Sequence, residues 1–459
     1  MKLWNFIREA MMSHPTQKIR EERAEMSFEE VAVFAREFSE RLRGFRCCAI
    51  LCSSEMAAAM ALLSCFAAEV TALPLSMRYG QAHCRKILDA VSPDAIISDN
   101  GGELAVYRLD PGSYSPPDVH PALIMCTSGT TGKPKGAMLS ESNILANVTD
   151  IAGYFALGES DTILIARPLY HCAVLTGEFL TALVRGAGIR FYSGNFNPPK
   201  MPELLRNYEI TAFCGTPTLL SMMARFSRGT PPPTLKHIVI SGECMGADTG
   251  IAIADAFPQS RIYHVYGLTE ACPRVSYLPP EAFRQYPDCV GIPLRSVSVR
   301  LLTPDGALCQ PGEEGILWVR GDNVMLGYYR DPGRTAEILR DGWLCTGDLA
   351  VKNDAGYLKI KGRNDDLIIK SGMNVYPAEI EAAMKQDARV REVLAYKVES
   401  RFGVQIGMKL AGDFSSVEEV KKLCAQLLPP FQIPAVITLV DELPKNGSGK
   451  IIRRERHDA

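Results

Sequence analysis

The chain reads as an α/β protein: a large N-terminal domain of two wound α/β lobes plus a small β-barrel-like subdomain, then a small α+β C-terminal domain. Three observations predict this. Short apolar runs alternate with amphipathic stretches up to about residue 280, the rhythm of βαβ units. The texture then changes to short β-rich runs between turn signals, and from Asn364 a second, smaller α+β pattern begins. A length of 459 residues with 47% hydrophobic side chains is enough for about two to four domains with filled cores.

The first strand is expected over Cys48-Ala-Ile-Leu-Cys52. The uncharged run 56–68 that follows is shorter than the roughly 20 residues a bilayer requires, so it predicts an Ala-rich core helix. A strand at 70–75, a helix around 82–91 and a strand at Ala95-Ile-Ile97 complete the first lobe. From Leu123 onward, strands are expected at 162–166, 189–192, 211–214, 237–241 and 261–265, most of them separated by a helix-length segment. Runs 297–302, 315–319 and 357–360, punctuated by Pro-Asp-Gly, Pro-Gly and Asn-Asp-Ala-Gly, predict the barrel-like unit. Leu367-Ile-Ile369, a helix opening at Pro377, strands at 393–398 and 404–410, a helix from Val417 and a strand at 436–440 make up the last unit. The expected division is residues 1–363 and 364–459.

Charge excludes some partners. Fifty Lys+Arg against 52 Asp+Glu leave a net −2, too weak a field for nucleic acid or an anionic membrane to be the main partner, so any phosphate binding is local. The 14 cysteines are scattered, and the one cluster, Cys47, Cys48 and Cys52, has neither a Cys-x-x-Cys pair nor a His at zinc spacing. Buried thiols in a reducing compartment are the expectation. The apolar start, 1–7, is cut short by Arg8 and Glu9, which argues against a secretory signal and for a cytoplasmic protein with no transmembrane segment.

The most informative stretch is Leu123-Ile-Met-Cys-Thr127-Ser128-Gly129-Thr130-Thr131-Gly132-Lys133-Pro134-Lys135-Gly136, an apolar strand running into a loop of Gly, Ser and Thr with two lysines. Glycines let backbone N–H groups converge on an anion, hydroxyls add donors and lysine adds charge. It is not a Walker A loop, because Pro134 stands where a glycine is required. Four further motifs follow: Tyr266-Gly267-Leu-Thr269-Glu270, Trp343-Leu-Cys-Thr-Gly-Asp348, Gly362-Arg363-Asn-Asp365-Asp366 with Ser371-Gly372-Met-Asn-Val-Tyr-Pro-Ala-Glu-Ile-Glu381, and Pro444-Lys-Asn-Gly-Ser-Gly-Lys450.

In identity, order and spacing these motifs resemble the adenylate-forming superfamily of acyl-CoA synthetases, luciferases and peptide-synthetase adenylation domains, and most of all an AMP-forming acyl-CoA synthetase. The resemblance implies an N-terminal adenylation domain and a mobile C-terminal one, with ATP, Mg²⁺ and coenzyme A as cofactors. It assigns Thr127, Ser128, Gly129, Thr130, Thr131, Gly132 and Lys135 to the β- and γ-phosphates, Thr269 to the α-phosphate and Glu270 to Mg²⁺. Asp348 is expected in a turn, accepting from the ribose hydroxyls, with Arg363 assisting. Tyr266 would stack on adenine, beside Gly267 and the Gly242-Glu243 pair. Lys450, on its glycine-rich loop, would bring an ammonium to the charge that develops in the first half-reaction. Asp365 would be the hinge, and Ser371 and Gly372 would enter on the thiol side.

His171, in Pro168-Leu-Tyr-His-Cys172, falls where acyl-CoA synthetases carry an aromatic or His beside the acyl carboxylate. The same segment lacks the Asp of amino-acid-activating relatives, which points to a carboxylic acid without an α-amino group. Two departures weigh on the reading. Glu243 in Ser241-Gly242-Glu243-Cys244 is more familiar from amino-acid adenylation domains, and little precedes Met26-Ser-Phe-Glu-Glu-Val, so an oligomer contact is left open. Coenzyme A or the phosphopantetheine of a separate carrier protein are both open as acceptor, and a nucleotide-binding regulator without turnover is the reading from another class. The acid itself is open. Its pocket would be assembled near 171–178, 213–216, 241–243 and 267–274, where Glu178 and Arg274 are candidates for a polar group of the substrate.

Overall fold

The computed structural model describes residues 2–101, 103–109, 114–128, 134–194, 197–227, 231–370, 373–400, 403–445 and 451–453. Two large mixed sheets dominate it. One has seven strands in the spatial order Gly327–Tyr328, Pro134–Leu139, Leu123–Ser128, Thr71–Pro74, Cys47–Ile50, Ala95–Asn100 and Glu103–Arg108. The other has nine, in the order Ile292–Pro293, Arg274–Leu278, Arg261–Gly267, His237–Ile240, Ala212–Gly215, Thr162–Ile165, Gly188–Phe191, Lys18–Glu21 and Ala24–Ser27. In each the central strands are parallel and the edges antiparallel. These are the two wound lobes that the sequence predicts.

Successive strand residues face opposite sides, and the core divides accordingly. Ile163, Ala212 and Val239 join one core with Cys48, Ala72 and Leu123 of the other sheet, so the two lobes share an interior. Their neighbours Leu164, Phe213 and Ile238 pack outward against the helices Met201–Asn207, Pro217–Phe226 and Ala247–Ala256. The helix Glu55–Ala68 is buried almost all round within the shared core, as its lack of charge requires. Ser54 caps it by accepting from Ala57 N.

A buried carboxylate fastens the lobes together. Glu21, at the end of its strand and 6% exposed, accepts from Ser54 Oγ (2.5 Å), Met56 N (2.9 Å), Glu55 N (3.2 Å) and Ser193 Oγ (2.7 Å). An anion at a helix N-terminus, with several donors, is a stabilised way to bury a charge.

Three features depart from the sequence reading. The lobes do not end near residue 280, because Ile292–Pro293 and Gly327–Tyr328 add edge strands to the two sheets. The short N-terminus is built into the scaffold, since the helix Leu3–Ser13 joins the shared core and the hairpin Lys18–Glu21/Ala24–Ser27 completes the nine-stranded sheet. The barrel-like unit is a five-stranded antiparallel sheet of Val297–Leu302, Glu314–Gly321, Trp343–Lys352, Leu339–Arg340 and Leu358–Arg363, paired along an open path.

Ile368, Val375, Ile380, Met408, Leu410 and Leu423 centre a separate core in the C-terminal segment, formed by the sheet Val390–Ser400, Gly403–Gly412 and Val436–Leu439 with the helices Pro377–Met384 and Val417–Leu427. Several side chains join this unit to the rest: Arg225 donates to Ala388 O (3.2 Å), Gln386 to Asp248 (2.8 Å) and Lys385 to Thr218 (3.0 Å), Lys361 pairs with Glu379, and Tyr376 donates to Glu314. Among the described residues, which include all fourteen cysteines, no disulfide forms. Most of these thiols are buried as expected, whereas Cys244 is exposed. Among the described residues no helix is long and apolar enough to cross a membrane.

Candidate nucleotide and acid site

The strands on either side of the Gly/Ser/Thr-rich segment, Leu123–Ser128 and Pro134–Leu139, pair antiparallel, so the chain resumes after the segment as a strand and not as a helix. Register sets Thr127 opposite Lys135. Gly129, Thr130, Thr131 and Gly132 lie outside the described residues, as do Ser371, Gly372 and Lys450. Thr127 and Ser128 are placed by their backbone in the strand.

Lys135 stands with its ammonium 5.6 Å from the centre of the Tyr328 ring. Burial lowers its proton affinity below the usual lysine range and the nearby Arg334 adds to this, while Glu270 and Asp331 work the other way. A cation in that setting gains when an anion arrives.

Tyr328 belongs to the short strand Gly327–Tyr328, which pairs with Ala137 and Met138 just beyond the loop. Its hydroxyl donates to Glu270 Oε1 at 2.6 Å. Glu270 lies in the short turn Thr269–Ala271, where its carbonyl accepts from Met325 N (2.9 Å) and Asn323 Nδ2 holds Ala271 O (2.8 Å). The turn depends on Gly267, because a Cβ there would come within 1.8 Å of Pro273 O. Among the described residues no group of three or more His, Cys, Asp or Glu side chains could cage a metal. A single carboxylate whose remaining oxygens come from phosphate and water is the usual way to hold Mg²⁺, and Glu270 fits that donor set.

A second cluster surrounds Asp348. This residue is in the middle of the strand Trp343–Lys352, which corrects the expected turn. Opposite Leu317 the pairing slips, with Trp318 against Cys345 and Ile316 against Leu349, so Thr346, Gly347 and Asp348 form a bulge. Gly347 has φ +72°, and a Cβ there would sit 3.0 Å from Arg363 Nη2. Bulges re-aim a side chain, and here the result is a carboxylate engaged at both oxygens. Tyr266 Oη donates to Oδ2 at 2.5 Å and Arg363 Nη1 to Oδ1 at 3.2 Å. Arg363 Nη1 also donates to Thr346 O (2.8 Å), and Thr346 Oγ1 accepts from Asp348 N (3.0 Å). Burial works against the Arg363 charge, but Asp348, Tyr266 and Asp365 together outweigh it and hold the guanidinium above its usual range. Burial and then Asp348 push the Tyr266 phenol well up. Tyr266 thus has more than a flat ring to offer: its hydroxyl orients Asp348.

Gly242 is exposed with φ +93° at the end of the strand His237–Ile240. Its neighbour Glu243 has a structural duty, since Oε2 accepts from Thr218 Oγ1 (2.6 Å) and Thr218 N (3.3 Å) at the start of the helix Pro217–Phe226. Lys385 of the C-terminal segment donates to the same Thr218 hydroxyl at 3.0 Å. Asp365 is in the exposed turn Asn364–Asp366, directly after Arg363.

His171 precedes the short helix Cys172–Val174, which continues as a π-turn over Leu175–Leu180 and as helix over Thr181–Arg185. Such insertions often mark functional positions. The ring is edge-on to Tyr170 at 5.6 Å. Burial, with Arg167 adding to it, pushes the His171 imidazole down to about 3. The unfolded chain therefore binds a proton more readily between about pH 3 and 6.5. The stability gained by keeping His171 neutral is complete above about pH 6.5 and is lost as pH falls toward about 3. We expect His171→Gln to flatten this acid limb in urea-unfolding midpoints taken from about pH 4 to 7; a limb of unchanged slope would count against a buried neutral imidazole.

Sequence reasoning missed Tyr328, Thr346 and Arg167. Arg167 donates to the buried Glu178 at Oε1 (2.6 Å), and its charge is felt by His171. Only the polar character of Glu178 within an apolar run signalled it.

The comparisons fit this arrangement. A family model described as AMP-binding enzyme matches residues 8–329. A long-chain-fatty-acid–CoA ligase of Yersinia pestis is 34% identical over 361 residues, covering 75% of this chain and 63% of the ligase. A feruloyl-CoA synthase of an Amycolatopsis species is 33% identical over 362 residues, covering 76% of this chain and 72% of the synthase. The chain spans slightly less than two thirds of the length of the fatty-acid ligases it matches. The O-succinylbenzoate CoA synthetase of Bacillus subtilis in complex with its acyl-adenylate superposes with a TM-score of 0.86 at 26% identity, over 99% of this chain and 98% of that one. ATP-bound MatB from Rhodopseudomonas palustris does so with a TM-score of 0.84 at 25% identity, over 98% and 97%.

Proposed function

The chain belongs to the AMP-binding enzyme family, and from that premise we propose that it is an AMP-forming acid–CoA ligase. It activates a carboxylic acid with ATP and Mg²⁺ to an acyl-adenylate and passes the acyl group to coenzyme A. The observation that carries the reading is the meeting of Lys135, Glu270 with Tyr328, and Asp348 with Tyr266 and Arg363, supplied by distant segments of the chain. The Lys135 ammonium senses the charges of Glu270 and Arg363 together, so the two clusters form one electrostatic neighbourhood. ATP supplies the phosphoanhydride that is broken, and Mg²⁺ offsets the charge of its phosphates.

The chain's own part is to offset and orient charge. Residues 127–132 and Lys135 hold the outer phosphates and Thr269 the inner one. Glu270, oriented by Tyr328, offers a hard oxygen to the metal. Asp348 gives its remaining lone pairs to ribose hydroxyls, held in aim by Tyr266 and Arg363. Gly242, Gly267 and Glu243 shape the nucleotide edge, and neutral His171 faces the acid carboxylate. Lys450 serves adenylation, while Ser371 and Gly372 serve thiol entry after a rotation at Asp365 between units 1–363 and 364–459. The separate C-terminal core supports that division. Reduced cysteines support action inside the cell.

The relatives named as CoA ligases and synthetases favour coenzyme A over a carrier protein as acceptor. ATP–pyrophosphate exchange across a carboxylic-acid panel tests the first step, and thioester formation with coenzyme A and with carrier proteins tests the second. No exchange with any acid would leave the regulator reading standing. Exchange with transfer only to carrier proteins would replace the acceptor.

A further inference from the structure

A buried arginine near Glu178 makes no hydrogen bond or ion pair with its head group among the described residues. Glu178 is 1% exposed and its carboxylate is occupied by Arg167 at 2.6 Å. Arg274, 3% exposed, opens the strand Arg274–Leu278 four residues beyond Glu270. Its backbone is pinned: Asn147 Oδ1 accepts from Arg274 N (3.2 Å), while Asn147 Nδ2 (2.8 Å) and Asn323 Nδ2 (2.9 Å) donate to Arg274 O. Its guanidinium makes no hydrogen bond or ion pair among the described residues, and Nε is buried without an acceptor. The head occupies space left by a glycine, since a Cβ on Gly177 would come within 2.7 Å of Nη2. Cys214, at the end of the strand Ala212–Gly215, senses Glu178, Arg167 and Arg274 alike, so the three charges share one region. With Glu178 engaged by the partly exposed Arg167, the buried Arg274 head has no hydrogen-bonded anion among the described residues, a costly arrangement unless an anion completes it.

That region lies past the C-terminal ends of parallel strands in the nine-stranded sheet, where α/β proteins bind ligands. Arg167 is two residues beyond the strand Thr162–Ile165, and its charge is felt by His171. We propose that the acid accepted here carries a second anionic group, a distal carboxylate, that pairs with Arg274 and completes the Arg167–Glu178–Arg274 cluster. The substrate class is therefore a dicarboxylic acid, a conclusion that rests on the ligase reading above and narrows it. A site built to pair a buried charge discriminates strongly against analogues that lack the partner.

The test compares dicarboxylates from malonate to adipate, and phthalate, with monocarboxylates of equal length, benzoate and the methyl half-esters. Each acid is scored for ATP-dependent pyrophosphate release and, without ATP, for calorimetric binding. At least one dicarboxylate should exceed its half-ester by about 100-fold in kcat/KM. Arg274→Met should collapse the ratio of kcat/KM between each dicarboxylate and its half-ester toward one, and Arg274→Lys should restore part of it. A wild-type preference for monocarboxylates, or equal loss on both classes in Arg274→Met with Arg274→Lys no better, overturns the proposal and leaves the ligase reading intact. Dicarboxylate binding that needs Arg274 but gives no pyrophosphate with any acid overturns the ligase reading and supports the anion pocket.

Discussion

Replacing Lys450 by alanine lowers acyl-adenylate formation by about two or more orders of magnitude, while thioester formation from supplied acyl-adenylate stays within a few-fold of wild type. The expectation follows from charge. A carboxylate and a phosphate meet in the first step, and a fixed ammonium between them is worth most when their charges crowd. Lys450 lies outside the described residues, but the residues that flank 446–450 are anchored. Lys445 and Ile451 pair across it, and Arg453 donates to both oxygens of Glu381 at 2.9 and 2.5 Å. The Arg453 charge reaches Cys244, beside Gly242 and Glu243 and just past a strand of the nine-stranded sheet. ATP–pyrophosphate exchange and single-turnover thioester assays separate the two steps; an equal loss in both would remove Lys450 from its assigned role.

Glu270→Gln is expected to lower turnover by about 10²–10³-fold and to raise the Mg²⁺ concentration needed for half-maximal activity. The substitution is close to isosteric, and a glutamine carbonyl can still accept from the Tyr328 hydroxyl. The fold is retained and the missing charge is what is measured. A variant that keeps the wild-type Mg²⁺ response would show that the metal is held elsewhere. Circular dichroism and an unchanged urea midpoint serve as the control for folding.

Much of the scaffold was legible because its strands are short apolar runs bounded by turn residues. The expected strand at 162–166 is found at Thr162–Ile165, and that at 237–241 at His237–Ile240. The run 56–68 is the buried helix Glu55–Ala68. What escaped lacks a local pattern. Two-residue strands such as Gly327–Tyr328 have no periodicity, and their place is set by an edge far away in the chain. Tyr328 therefore had no signal as the partner of Glu270. Asp348 is expected in a turn, because Thr-Gly-Asp reads locally as one. Only the register slip opposite Leu317 reveals a bulge inside a strand. Arg274 and Glu178 lie about a hundred residues apart, and the burial of both charges emerges only in the folded chain.

The two-residue strand at Tyr328 also couples two binding events. It is paired to the strand that follows the Gly/Ser/Thr-rich segment, and its hydroxyl grips the carboxylate proposed for the metal, so both ends of a triphosphate would press on a single mechanical piece. Reciprocity follows as a matter of thermodynamics: whatever factor nucleotide adds to magnesium affinity, magnesium must return to nucleotide. Tyr328→Phe, which cuts the grip and spares the pairing, is the place to look for a weakened handshake between them.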